Sequence, residues 1–70
     1  MEMYHITVLL DKKKEFAEKL NELGIRISNQ KRFDRYGIAT CTLTEDEILK
    51  IREMKNLIEG IEKDNIERIN

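Results

Sequence analysis

The residues of this chain that could do chemistry are few and set apart from one another. His5 is the only histidine and Cys41 the only cysteine, so no internal disulfide, CxxC redox pair or zinc-ligand spacing can be built. His5 falls in an alternating apolar stretch, where an imidazole is more often an ordinary strand residue than an isolated ligand or general base. Cys41 stands between Thr40 and Thr42 and reads as a small buried hydrophobe rather than a nucleophile. Glu45, Asp46 and Glu47 follow Thr44, a grouping that a helix N-terminus explains without catalysis. Lys31, Arg32 and Arg35 could touch phosphate, although a short basic cluster in a connection is ordinarily just solvated. No glycine-rich phosphate loop is present. The expectation is a chain that is not an enzyme and that holds no cofactor and no metal.

Composition narrows the partners. At 70 residues the chain is one domain, residues 1–70, and folding buries only about 60% of the surface an unfolded chain of this size exposes. Lys and Arg number 13 against 14 Asp and Glu, a formal net charge of -1. No global field then draws the chain to nucleic acid or to an anionic membrane, and neither is expected as a partner. No apolar run approaches the roughly 20 residues needed to cross a bilayer. Proline is absent and glycine occurs only at 24, 37 and 60, which leaves no linker and no second domain boundary.

The elements that must position these residues follow from periodicity. Residues 3–10 alternate with Tyr4, Ile6, Val8 and Leu10 on one face, the pattern of a central strand. Asp11 can cap a helix over 12–23, whose apolar stripe is Phe16, Ala17, Leu20 and Leu23, and Gly24 stands where a left-handed cap would end it. Residues 25–29 alternate as a second strand, and 30–35 read as a long basic hairpin connection around Phe33. Residues 36–43 form a third strand, with Gly37, Ala39, Cys41 and Leu43 on one face and Tyr36, Ile38, Thr40 and Thr42 on the other. Thr44 and Glu47 make a Thr-x-x-Glu capping box for a helix over 45–55, buried through Ile48, Ile51 and Met54. Residues 57–63 supply a fourth strand.

The resulting fold class is α+β, a ferredoxin-like βαββαβ order with a four-stranded antiparallel sheet and two helices on one face. The other sheet face, with His5, Thr7, Leu9, Ile38, Thr40 and Thr42, is left uncovered. It is flat and mixed in character, as suited to a partner as to water.

Through Ile6 to Leu9, Gly24 to Ile27 and most densely from Tyr36 onward, the chain resembles the subtilisin propeptide family of protease inhibitors. Ala39-Thr40-Cys41-Thr42-Leu43-Thr44-Glu45 is similar to that family's third strand and the helix cap after it. Ile48 and Ile51 fall at its second-helix core positions, and Ile58-Glu59-Gly60-Ile61-Glu62-Lys63-Asp64 resembles its fourth strand. The resemblance implies an inhibitor of a subtilisin-like serine protease, monomeric when free, with a folding-chaperone role as the family's second activity. Thr40 and Thr42 would lie in the contact, and Glu62 and Asp64 would accept hydrogen bonds at the N-termini of two protease helices. The tail, 66–70, would extend into the substrate cleft as an added strand, with Glu67, Arg68, Ile69 and Asn70 occupying it like a cleaved product. Glu67 and Asn70 depart from the residue types usual at those places, and 30–35 is longer than the family hairpin.

The N-terminus lacks the basic-then-apolar pattern of a signal peptide. The expected location is therefore cytoplasmic as the sequence is written, or secreted if the chain is an excised propeptide. Two other users of the ferredoxin-like order stand beside this reading. One is a small-ligand-sensing regulatory domain acting as a homodimer through its sheet. The other is an RNA-recognition module, which would need an aromatic stacking pair where residues 35–42 offer only Tyr36.

Overall fold

The alternation of Tyr4, Ile6 and Val8 places these three side chains on one face of strand β1 (Glu2–Val8) in a computed structural model that describes residues 1–64. Both edges of β1 are hydrogen-bonded. Strand β2 (Ile38–Leu43) pairs with it antiparallel on one side, and strand β3 (Ile58–Lys63) on the other, giving one three-stranded sheet in the order β2-β1-β3. Because β2 and β3 both oppose β1, they run parallel to each other. Helix α3 (Glu45–Arg52) joins them, so β2-α3-β3 is a split β-α-β unit with β1 inserted between its strands.

Helices α1 (Lys13–Leu23) and α2 (Gln30–Tyr36) lie in the connection from β1 to β2, with a 3-10 turn at Leu10–Lys12 ahead of α1. One core joins sheet and helices. Tyr4, Ile6 and Val8 of β1 and Ala39, Cys41 and Leu43 of β2 meet Phe16 and Leu20 of α1, Phe33 of α2 and Ile48 and Ile51 of α3. The rings of Phe16 and Phe33 pack at a centroid distance of 6.3 Å.

Several local signals operate as their chemistry requires. Thr44 and Glu47 close the capping box reciprocally: Thr44 N–H donates to Glu47 Oε1 at 2.9 Å, and Glu47 N–H donates to Thr44 Oγ1 at 3.3 Å. Gly24 ends α1 in the left-handed region at φ 72°.

The four-stranded ferredoxin-like sheet is not formed; the described residues hold three strands and three α-helices. The expected second strand, 25–29, is claimed from both ends by helix termini. Ile25 N–H donates back to Leu20 O at 2.9 Å, closing the end of α1, and its side chain is buried. At the other end Asn29 accepts a bond from Arg32 N–H at 3.1 Å, the N-cap role for which asparagine is among the best residues. Between them Ser28 N–H to Thr40 O, 2.7 Å, is the backbone bond that draws this segment to β2.

The basic stretch read as a hairpin connection is therefore helix α2, with Phe33 as its inward residue and Gly37 as its left-handed cap at φ 69°. Other bounds shift for the same kind of reason. The third predicted strand begins at Ile38 rather than Tyr36, because Tyr36 ends α2. Asp11 lies in the 3-10 turn and makes no cap to α1, whose N-cap is Lys12. Helix α3 stops at Arg52, short of Met54.

The two capping glycines differ in what surrounds them. A Cβ at Gly24 would meet no atom within 4 Å, whereas one at Gly37 would stand 3.1 Å from Val8 O and 3.3 Å from Leu10 Cδ2. Gly24→Ala should cost only the backbone strain of about 1–2 kcal/mol, and Gly37→Ala more, because the carbonyl it meets belongs to the central strand. Urea unfolding of the two variants checks the order.

Candidate functional site

Among the described residues the helices pack on one face of the sheet and none covers the reverse. Period-2 alternation puts His5 and Thr7 of β1, Ile38, Thr40 and Thr42 of β2, and Glu62 of β3 on that face. The register sets His5 directly between Thr40 on one side and Glu62 on the other.

His5 ties all three strands together across this face. Its Nδ1 lies 3.0 Å from Thr40 Oγ1, and its Nε2 lies 3.4 Å from Asp64 Oδ1. A carboxylate can only accept, so this contact favours the proton on Nε2 and leaves Nδ1 to accept from the Thr40 hydroxyl. The Asp64 backbone N–H donates to Met3 O at 2.9 Å, which extends the β3 pairing one residue past the strand and holds the carboxylate beneath the imidazole.

The row hydroxyl, imidazole, carboxylate has the residue types of a hydrolytic triad but not its setting. Thr40 is 7% exposed and mid-strand, so its hydroxyl serves the sheet rather than meeting a substrate.

The residues named from sequence are thus partly brought together. Thr40 is buried and bonded to His5, and Thr42 is exposed on the same face. Glu62 is exposed opposite His5 and makes no hydrogen bond or ion pair among the described residues. Asp64 is half-buried and engaged by His5. Glu67, Arg68, Ile69 and Asn70, expected in a protease cleft, lie outside the described residues. The tether role of His5 was not legible in the sequence, because it depends on a register between strands some 35 residues apart.

At the end of the sheet, and on the side opposite Glu62, Lys63 Nζ reaches Glu2 Oε1 at 2.7 Å, and this bond, with the attraction of the same carboxylate, raises the Lys63 pKa. Cys41 lies on the opposite face, fully buried in the core. Burial first, and then the negative charge of Glu47, push its thiol from the usual 9.0 to about 11. A thiol so placed stays protonated and unreactive at neutral pH.

Among the described residues no cluster of three or more His, Cys, Asp or Glu could hold a metal ion, and no helix is long and apolar enough to cross a membrane. No family model matches the chain, and comparison with curated proteins and with solved structures gives no match.

Two measurements test these assignments. The unfolded Cys41 thiol ionises from pH 9.0, while the folded one holds its proton to about 11. The folded chain binds more protons in that window, so the contribution is intact below it and lost as pH rises through it, by about 2–3 kcal/mol in full. Urea midpoints at about pH 8 and about pH 10.5 should differ accordingly, and Cys41→Ala should flatten the difference. Second, His5→Ala and Thr40→Val should be non-additive in a double-mutant cycle, with a coupling of roughly 0.5–1.5 kcal/mol for the shared hydrogen bond.

Proposed function

We propose that this chain is a proteinaceous inhibitor of a subtilisin-like serine protease. It docks through the open sheet face and sends its tail product-like into the substrate cleft. The observation that carries the reading is the grouping on one uncovered face. Thr42 and the Thr40–His5 pair occupy its middle, and Glu62 and Asp64 follow each other along β3 and its end.

The loss of the expected second strand leaves this argument standing, because every named contact residue within 1–64 sits on β2, on β3 or just past it. The threonines of this face are short enough to lie close against helices. Carboxylates on its border are suited to the unpaired N–H groups at helix N-termini.

The two acids take different roles in this reading. Asp64 is already engaged by His5 at 3.4 Å, so docking must share or replace that contact. Glu62 has no partner among the described residues and is free to accept from the protease. It is the cleaner anchor. Tail residues Glu67, Arg68, Ile69 and Asn70 supply cleft occupancy in this reading, and inhibition then needs no reactive group from the inhibitor. A chaperone activity toward the same protease would draw on the same face.

Titration of the full chain against a panel of subtilisin-like proteases tests the proposal. Competitive inhibition of at least one is expected, abolished or strongly weakened on deleting the tail beyond Asn65. Glu62→Gln should weaken it roughly tenfold or more, the worth of a hydrogen bond to a charged group, with unchanged thermal unfolding. Absence of inhibition across the panel, or full inhibition by the Glu62→Gln chain, would overturn the reading.

A further inference from the structure

Helix α2 changes the meaning of the basic cluster. Spread along a hairpin connection, Lys31, Arg32 and Arg35 would be separate solvated cations. On a helix, at about 100° per residue, Lys31, Arg35, Arg32 and Tyr36 follow one another around one side, while Phe33 turns into the core.

These four residues, with Asn29, line an open, solvent-facing depression of about 460 Å³ on one side of α2. Lys31 and Arg35 are spaced i, i+4 and Arg32 and Arg35 i, i+3, about 5–6 Å apart at Cβ. Like charges so placed destabilise a helix, and none of the three has an ion-pair partner among the described residues. Asp34, the acid on α2, adjoins Lys31 at i, i+3, and its Oδ1 accepts from Gln30 Nε2 at 3.0 Å.

An anion in the concavity would relieve this repulsion, and two guanidiniums offer the planar forks that suit phosphate oxygens. The fourth wall identifies the rest of the ligand. Tyr36 is 62% exposed, so its ring is open to stacking beside the cations. A tyrosine face next to arginines is the platform on which a nucleobase stacks.

We infer that the concavity formed by Lys31, Arg32, Arg35 and Tyr36 binds a nucleoside phosphate, with the phosphate held by the two arginines and Lys31 and the base stacked on Tyr36. The site is distinct from the open sheet face: α2 packs its Phe33 into the core on the helical side of the sheet, and none of its lining residues belongs to the proposed inhibitory contact.

The test is titration of the isotopically labelled full chain with adenosine monophosphate, uridine monophosphate and inorganic phosphate, followed by backbone amide shifts. Saturable shifts centred on residues 29–36 are expected with both nucleotides, and weaker binding with inorganic phosphate. The Arg32→Gln, Arg35→Gln double variant should lose about tenfold or more in nucleotide affinity. Tyr36→Ala should lose about tenfold for the nucleotides, a stacked base being worth ~1–3 kcal/mol, and leave inorganic phosphate binding unchanged. All of these side chains are exposed, and an unchanged circular dichroism spectrum separates loss of the site from loss of the fold.

Three results would overturn the assignment: no saturable shift with either nucleotide, shifts that persist in the double variant, or inorganic phosphate binding as tightly as the nucleotides. A single-stranded oligonucleotide bound far more tightly than the monophosphates would equally overturn a free nucleotide as the ligand.

Discussion

Everything in this domain depends on β1 being hydrogen-bonded along both edges while carrying its apolar side chains on one face. Tyr4, Ile6 and Val8 are all buried, and the strands on either side reach one another only through β1. With the apolar side chains of β1 on one side only, one face of the sheet offers the helices a surface to pack against. The helical segments therefore bury their apolar stripes on a single face. Among the described residues no helix covers the other face, and what it displays is set by the alternation of the strands.

That constraint is also what makes His5 informative. As the residue between Tyr4 and Ile6 it must point to the open side, and as a member of the central strand it has a neighbour on each side. Those neighbours are Thr40 and Glu62, and the imidazole bonds the Thr40 hydroxyl and reaches past Glu62 to the Asp64 carboxylate. The polar contacts of the open face are thus a direct consequence of the pairing that builds the core on the reverse. Asp64 extends the effect beyond β3: its N–H bond to Met3 O continues the ladder to the edge of the described chain, where the proposed tail begins.

How much of this was legible in the sequence depended on whether the signal was local. The Thr44–Glu47 capping box, Gly24 as a left-handed cap and the two faces of residues 38–43 could be read because each needs only a few neighbouring residues. The segment 25–30 could not. Ile25 to Asn29 alternates well enough for a strand, but Asn29 is also a strong N-cap and Phe33, four residues on, gives the next helix its buried anchor. The competition was settled by tertiary contact, Phe33 against Phe16 and Ser28 against Thr40, which no short window contains. The same is true of the site: the faces were readable, while the register that places Thr40 and Glu62 on either side of His5 was not.

A net charge of -1 describes the sum of this molecule and conceals its arrangement. The cations of α2 stand beside β2, on one margin of the sheet, and Glu59, Glu62 and Asp64 lie on or just past β3 at the other margin. Charges separated across a small domain are screened from one another over about 8–10 Å at ordinary ionic strength, so a local cluster acts on what approaches it more than the sum does. Composition excludes a molecule-wide attraction to polyanions, and it says nothing about a cluster gathered on one helix. The helix decides that, and the helix exists because Asn29 and Gly37 cap a segment whose Phe33 the core requires.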